Sequence, residues 1–172
     1  GCAANSIDLN GRTIHLANGT AVPFSKAVIA TGSTAIRLNV PGANLPGVHT
    51  FRDSRDVDLL LKLAREKKRV VVVGGGNAGL EAVLDLVPYA KNIWLLEHSN
   101  GLKGDPVTQE KVKSSDKIKE IIFNAETLEI LGDKFVTGLK YKDIKTAEEK
   151  RLDVGGVFVE IGSVPNSDMV KD

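Results

Sequence analysis

The stretch RVVVVGGGNAGLEAV, residues 69–83, decides the fold of this 172-residue chain. Its four consecutive valines are typical of a strand that is buried on both faces of a parallel sheet. Gly74, Gly76 and Gly79 follow with the spacing G-x-G-x-x-G, and apolar residues then recur at helical intervals. A strand, a glycine turn and a helix in this order form the context that a dinucleotide-binding fingerprint requires.

Each glycine of this turn has its own expected role. Gly74 permits the tight turn, Gly76 lets a pyrophosphate approach the backbone, and Gly79 allows the helix to pack closely against the strand. The N–H groups at the start of the helix then face the anion, which the positive end of the helix dipole also favours. The alternative interpretation is a glycine turn in a β-α-β unit that binds no ligand.

A second apolar stretch, Asn92–Glu97, is predicted to be the neighbouring strand, and it ends in an acid. Glu97 lies 18 residues after Gly79, close to the spacing of roughly 20 expected for a ribose-binding acid. Its carboxylate can accept hydrogen bonds from both ribose hydroxyls of NADH, and it would repel the additional 2′-phosphate of NADPH. We therefore expect NADH to be preferred, although a protonated His98 could still help to bind a phosphate.

The composition is ordinary for a globular protein, since 42% of the residues are hydrophobic and the net charge is +1. This charge balance argues against nucleic acid and anionic membranes as partners. No apolar run approaches the roughly 20 residues of a membrane span, and residues 1–20 lack the features of a signal peptide. Cys2 is the single cysteine, which excludes an internal disulfide, and we expect a cytoplasmic protein. We assign no catalytic residue and no metal site, because no Ser/His/Asp signature and no metal-ligand spacing is present.

The N-terminal part is predicted to be a short β meander over residues 6–30. The dipeptides Asn10-Gly11 and Asn18-Gly19 separate stretches of alternating apolar and polar residues, which is typical of tight hairpins. Residues 26–30, which are apolar after Lys26, are predicted to form a buried strand at the end of this region.

The following segment, residues 34–51, contains two proline–glycine pairs and is predicted to be a linker with little regular structure. We expect His49, within it, to be solvated. A helix with an acidic or serine N-cap is predicted over 53–68. A second, short helix is predicted from Val107 to about Lys113, because a proline suits its first turn.

The last third is predicted to be mainly β structure. Glycine and charged residues separate its apolar runs, as in antiparallel hairpins. Strands are predicted over 120–124, 127–131, 135–141 and 156–161, the middle two as a hairpin, with a charged and solvated turn over 145–150.

Several motifs resemble a known family, the FAD- and NAD(P)-dependent pyridine nucleotide-disulfide oxidoreductase superfamily. Ala30-Thr31-Gly32-Ser33, followed by Val40-Pro41-Gly42, is similar to the junction of its FAD and NAD(P)H domains. The motifs GGGNAGLEA, WLLE, FNAET, GGVFVEIG and PN, between about residues 68 and 166, are similar to the alkyl hydroperoxide reductase and thioredoxin reductase branch. The resemblance implies an α/β fold, in which a Rossmann-like β-α-β NAD(P)H-binding domain with an antiparallel three-stranded meander is flanked by partial FAD-domain strands.

The resemblance also implies residues that contact the cofactors. Thr31 and Gly32 fall at the domain junction, Glu81 falls on the helix near the nicotinamide end, and Gly162 falls on a turn beside that end. For Glu81, a plain surface position on the helix is the alternative. The complete set of predicted cofactor-binding residues is Thr31, Gly32, Gly74, Gly75, Gly76, Asn77, Ala78, Gly79, Glu81, Glu97 and Gly162.

One departure from that branch concerns its chemistry. The branch carries a C-x-x-C pair just before the glycine strand, whereas this region has no cysteine, so the chain cannot run a dithiol relay of its own. The resemblance divides the chain into a partial FAD-domain segment (1–50), an NADH-binding domain (51–162) and a return toward the FAD domain (163–172). Two glycine motifs of a complete FAD domain are missing, so we expect FAD to bind only if a partner chain or domain supplies the missing parts.

These observations predict the NADH-binding portion of a flavin-dependent oxidoreductase, in which a hydride passes from NADH to FAD and then to a disulfide, a peroxiredoxin or another acceptor. One alternative is a complete enzyme that binds FAD across a dimer or with a partner chain. Another is a non-catalytic NAD-binding or interaction module that lacks both flavin and redox cysteines.

Overall fold

A computed structural model describes residues 1–50, 66 and 68–168, so the helix predicted over 53–68 lies outside the described residues except at positions 66 and 68. The chain divides into two compact units. Gly1–Thr34 and the segment from Ser163 onward form the first unit, and Ala35–Gly162 form the second. Within the described ranges, no helix has both the length and the apolar character needed to cross a membrane.

The secondary structure is dominated by strands. The described helices are α1 (Asn77–Leu86) and α2 (Pro106–Ser114). In chain order the strands are β1 (Ala4–Asp8), β2 (Thr13–Leu16), β3 (Ala21–Pro23), β4 (Ser33–Ala35), β5 (Val48–His49), β6 (Arg69–Val73), β7 (Asn92–Glu97), β8 (Ile118–Phe123), β9 (Ala125–Gly132), β10 (Val136–Asp143), β11 (Glu149–Leu152), β12 (Gly156–Val159) and β13 (Ser163–Pro165).

The first unit contains the predicted meander. Strands β1, β2 and β3 form an antiparallel sheet in that order, and β4 pairs with β13. The first connection is longer than a two-residue turn, because the Asp8 carboxylate accepts a hydrogen bond of 2.8 Å from Gly11 N–H and closes a wider loop. Gly19 has φ +84°, which explains why a glycine stands in the second turn.

The buried strand predicted over residues 26–30 is wrong. These residues adopt no strand, and Val28 and Ile29 are 92% and 49% exposed. An apolar run predicts burial only if a neighbouring strand or helix is available to cover it. Among the described residues, no strand pairs with this segment, so its apolar side chains stay in solvent.

A five-stranded parallel sheet forms the centre of the second unit, in the order β5-β12-β6-β7-β8. The four valines of β6 lie at its middle and are at most 7% exposed. Val70 and Val72 pack with residues of α1 and α2, whereas Val71 and Val73 pack with residues of β9 and β10. The prediction of a strand buried on both faces is therefore confirmed.

The second face of this sheet is covered by an antiparallel meander in the order β11-β10-β9. The predicted hairpin over 127–131 and 135–141 is confirmed as β9 and β10, and the α/β fold class is confirmed as well. The charged turn ends earlier than predicted, because Glu149 already belongs to β11. Lys140 on β10 and Glu149 on β11 form an ion pair, with 3.4 Å between Lys140 Nζ and Glu149 Oε2. Strand β11 lies at the edge of its sheet, where charged side chains are well tolerated.

The linker is more ordered than its prolines indicate. Ile130 N–H donates to Pro41 O at 2.9 Å and Val136 N–H donates to Pro46 O at 3.0 Å, which attaches the linker to the meander. Its end forms β5, a two-residue strand that the sequence did not predict. His49 was expected to be solvated, and this is wrong, because its half-buried ring lies 5.6 Å from the ring of Phe158.

We predict that Gly42→Ala lowers the free energy of unfolding by about 2 kcal/mol or more. Gly42 has φ +79°, and a Cβ atom there would lie 1.9 Å from Ile130 O. Urea denaturation of the two proteins measures the difference. Gly101→Ala is the matched control, since a Cβ at Gly101 meets no described atom within 4 Å. Equal losses for both variants would contradict the close packing of the linker on the meander.

Candidate dinucleotide site

The glycine turn between β6 and α1 is shaped by close approaches of backbone atoms. Gly74 has φ +122°, and a Cβ there would lie 2.2 Å from Glu160 O. A Cβ at Gly79 would lie 1.8 Å from Gly74 O. These two positions therefore require glycine so that the turn and helix can pack. At Gly76 a Cβ would meet no described atom within 4 Å, so this glycine instead leaves open space.

That space opens into a cavity of about 610 Å³ at the carboxyl ends of the parallel strands. In α/β sheets, ligands bind in the crevice at this edge. The turn after β6 lies between the ends of β7 and β12, since Gly74 N–H donates to Leu96 O and Glu160 N–H donates to Val73 O, both at 2.8 Å. The cavity is lined by Leu38, Val73, Gly74, Gly75, Gly76, Asn77, Ala78, Leu96, Glu97, His98, Lys103, Ala125, Glu126, Thr127, Glu160, Ile161 and Gly162.

Most of the predicted residues of the second unit meet at this cavity. Gly79 is buried directly below the turn rather than in the lining. Glu81 is exposed on α1 and does not belong to the lining, so its role near the nicotinamide end stays a prediction. The predicted residues that line the cavity are Gly74, Gly75, Gly76, Asn77, Ala78, Glu97 and Gly162.

Glu97 accepts three hydrogen bonds, one of them from the glycine turn. Its Oε2 accepts from Gly75 N–H at 2.7 Å. Its Oε1 accepts from Ser99 N–H at 2.8 Å and from the Ser99 hydroxyl. Glu97 is only 6% exposed, and these bonds compensate for burying the charge. The carboxylate at the end of β7 thus points toward the turn at the end of β6.

The surroundings of Glu97 favour its ionised form. Burial by itself would raise the pKa of this carboxyl, but the hydrogen bonds from Ser99 and Gly75, together with the charge of Lys103, lower it below its ordinary value. Glu97 is therefore a fixed negative charge at neutral pH in the lining of the cavity.

The sequence did not reveal one cation in the lining. Lys103 Nζ lies 3.9 Å from Glu97 Oε1, although Lys103 follows β7 by six residues. Its loop folds back, because Lys103 N–H donates to Gly75 O at 2.9 Å. The same loop is joined to α1 by a hydrogen bond of 2.6 Å from Asp105 N–H to Asn77 Oδ1. No local signal in the sequence indicates this position, because it depends on how the loop folds back onto the turn.

Thr31 and Gly32 belong to the first unit, where they meet the segment after Gly162. The Thr31 hydroxyl donates to Asn166 O, and Asn166 Nδ2 donates to Thr31 O at 3.1 Å. Asn166 N–H donates to Gly32 O at 2.9 Å, and the Thr34 hydroxyl lies 2.9 Å from Asn166 Oδ1. Thr31-Gly32 and Asn166, which are far apart in the sequence, are thus joined in space. The contacts of Thr31 and Gly32 with a cofactor stay a prediction.

Comparison with known proteins identifies relatives of the whole chain. The sequence pattern of a family described as pyridine nucleotide-disulphide oxidoreductase matches residues 2–172. One subunit of the alkyl hydroperoxide reductase of Staphylococcus aureus is 38% identical over 162 residues, which cover 92% of this chain and 31% of that protein. The chain therefore spans about a third of the length of this relative.

Solved structures with the same fold are also reductases. The thioredoxin reductase of T. acidophilum superposes with a TM-score of 0.84 at 30% identity, covering 98% of this chain and 55% of that one. The thioredoxin reductase of Giardia duodenalis superposes with a TM-score of 0.81 at 26% identity, covering 99% and 55%.

The hydrogen bonds of Glu97 predict a pH-dependent contribution to stability. Because the folded-state pKa lies below that of the unfolded chain, the ionised carboxylate stabilises the fold fully above the unfolded-state value. This contribution is lost as the pH falls through the folded-state pKa. We expect Glu97→Gln to lower the free energy of unfolding by about 1–3 kcal/mol at neutral pH, and by less as the pH falls from about 5 to 3.

Urea denaturation of both proteins across this pH range is the measurement. A difference between them that stays constant from neutral to acidic pH would show that the charge of Glu97 does not stabilise the turn.

Proposed function

This chain belongs to the pyridine nucleotide-disulphide oxidoreductase family, and from that premise we propose that it is the NADH-binding portion of a flavin-dependent oxidoreductase. The family is FAD- and NAD(P)-dependent. In the whole protein, a hydride would pass from NADH to FAD and then to a disulfide, a peroxiredoxin or another acceptor. Residues 51–162 would be the NADH domain of this cytoplasmic enzyme, and residues 1–50 and 163–172 would belong to the FAD domain, although residues 35–50 form part of the second unit in the structure.

The observation that carries the proposal is the hydrogen bond from Gly75 N–H to Glu97 Oε2. It fixes a carboxylate beside the turn at which α1 begins. The first N–H groups of a helix have no partner within the helix, and they attract anions. A pyrophosphate at Asn77 and Ala78 would therefore leave its adenosine ribose within reach of Glu97. The open space above Gly76 fits an anion that approaches the backbone closely.

The strand order supports a proposed position for the other half of the dinucleotide. Strands β7 and β12 lie on opposite sides of β6, so a ligand with its adenosine at the end of β7 extends toward the end of β12. There the cavity is lined by Glu160, Ile161 and Gly162. Gly162 has φ +112°, and a Cβ atom added there would meet no described atom within 3.4 Å. This side of the cavity therefore has room for a ligand. We assign the nicotinamide end to this side of the cavity.

The residues of this chain would bind and orient the dinucleotide rather than carry out the chemistry. A bound flavin would supply the hydride acceptor and pass the electrons onward. Thr31 and Gly32 are the positions of the first unit proposed to lie near it. The description of the family and the similarity to thioredoxin reductases favour a disulfide-containing acceptor. Cys2, the single cysteine, is exposed and free, so such a disulfide would belong to another segment or protein.

The absence of a second cysteine also favours one alternative, a non-catalytic NAD-binding or interaction module. The two candidates differ in whether NADH is consumed. When the whole protein is mixed with NADH, loss of the nicotinamide absorbance together with bleaching of a flavin band supports the oxidoreductase. Binding of NADH without oxidation supports the module.

The site itself is tested by Gly76→Val and NADH titration. Because a Cβ at Gly76 meets no described atom within 4 Å, the variant should fold. Its side chain would occupy the space proposed for the pyrophosphate, so we expect the affinity for NADH to fall by more than about 100-fold. Calorimetric titration measures the affinity, and circular dichroism checks the fold.

Gly101→Val is the matched control, because Gly101 has the same free space but does not line the cavity. It should bind NADH as the parent chain does. If Gly76→Val folds and binds NADH with unchanged affinity, the dinucleotide does not lie on this turn.

A further inference from the structure

The chain contains three Asn-Gly pairs, which the fold holds in different ways. They are Asn10-Gly11, Asn18-Gly19 and Asn100-Gly101, and each asparagine is exposed. Asparagine is a thermally labile residue, and a following glycine leaves its own backbone nitrogen accessible because it has no Cβ. The three pairs therefore share the same local chemistry, and the structure around each pair decides whether that chemistry can proceed.

The fold engages the glycine nitrogen in the two pairs of the first unit. Gly11 N–H donates to Asp8 Oδ1 at 2.8 Å, and Gly19 N–H donates to Leu16 O at 3.0 Å. The side chain of Asn18 is held as well, since its Oδ1 accepts a hydrogen bond of 3.0 Å from the backbone. A hydrogen-bonded nitrogen must leave its acceptor before it can react. One such bond must open at the first pair, and two must open at the second.

The third pair lies in the loop after β7, where no such bond restrains it. Among the described residues, neither Gly101 N–H nor the Asn100 side chain has a hydrogen-bond partner. The carbonyl oxygen of Gly101 accepts from the Ser99 hydroxyl at 3.0 Å, which leaves the nitrogen free. A Cβ at Gly101 would meet no described atom within 4 Å, so the space around this residue is open.

We propose that Asn100 is a site of spontaneous deamidation. The Gly101 nitrogen gives up its proton and attacks Asn100 Cγ, so that a new N–Cγ bond forms and the side-chain amide nitrogen leaves with that proton as ammonia. Water then opens the cyclic imide at either of its carbonyl carbons, which gives aspartate or isoaspartate. The net reaction consumes one water and releases one ammonia, so it needs no oxidant, metal or enzyme.

The reaction changes the charge of the loop beside the cavity. His98 and Lys103, which flank the pair, both line the cavity. Either product places a new carboxylate in this loop, three residues after Glu97. Isoaspartate also adds one carbon to the main chain before Gly101, which displaces the carbonyl oxygen that accepts from Ser99. The loop therefore gains negative charge, and its main chain shifts, as the protein ages.

The test is peptide mapping by mass spectrometry while the whole protein is kept at physiological temperature. Deamidation replaces an amino group with a hydroxyl, which changes the mass of the peptide, and chromatography separates isoaspartate from aspartate. Because hydrogen bonds must open at the other two sites, we expect Asn100 to convert about fivefold or more faster than Asn10, and Asn18 to convert most slowly. Conversion of Asn100 at the same rate as Asn10 or more slowly would overturn the proposal.

Two controls separate the effect of the hydrogen bonds from that of the local sequence. In concentrated urea the three pairs lose their folded surroundings, so their rates should become similar. If Asn100 keeps its full advantage in urea, the fold does not set the difference and the proposal is wrong. Gly101→Val should suppress conversion in the folded chain, because a branched side chain shields the nitrogen and has room at this position.

Asn10 and Asn18 should keep their parental rates in Gly101→Val, which makes them internal controls. Conversion of Asn100 at the parental rate in this variant would exclude attack by the nitrogen of residue 101. The inference does not depend on the proposed function, and none of these measurements involves NADH. A failure here would therefore leave the proposed function standing, and loss of the proposed function would leave this site unchanged.

Discussion

The second unit depends on one buried charge that is held by backbone N–H groups. Glu97 is the last residue of β7, and its carboxylate accepts a hydrogen bond from Gly75 N–H in the neighbouring glycine turn. A buried carboxylate is costly unless it is hydrogen-bonded, and a buried N–H group is costly without an acceptor. Each group therefore satisfies the other. The turn at which α1 starts keeps its position relative to the sheet because of this mutual requirement.

Close backbone approaches then fix the direction of α1. The turn passes so near the end of β12 that Gly74 cannot carry a side chain, and the first turn of α1 passes equally near the carbonyl oxygen of Gly74. The N-terminus of the helix consequently lies at the sheet edge where the parallel strands end. Its first N–H groups, the carboxylate and the cavity share one edge as a result of packing. The packing that stabilises the unit thus also leaves the free N–H groups at the start of α1 beside the cavity.

The parts predicted correctly from the sequence are those whose signals are local. Four valines, a glycine turn and a helical repeat specify β6 and α1 within a few residues, and the hairpin of β9 and β10 follows from its turn. The errors concern features that depend on distant partners. Residues 26–30 look like a strand, but no described strand pairs with them. His49 looks like a loop residue, but its two-residue strand joins β12, which follows about a hundred residues later.

The cavity shows the same division between local and distant signals. Glu97 could be predicted because its spacing from the glycine turn is set by one β-α-β unit. Lys103 could not, because its position depends on how a loop folds back onto that turn.

The two residues also differ in what they do for the fold. Glu97 accepts hydrogen bonds from the turn and from Ser99, so a change there alters stability. Lys103 contributes one exposed charge, and exposed ion pairs contribute about 0–1 kcal/mol. The exposed lysine can therefore be replaced with little effect on the scaffold, whereas the buried acid is constrained by folding.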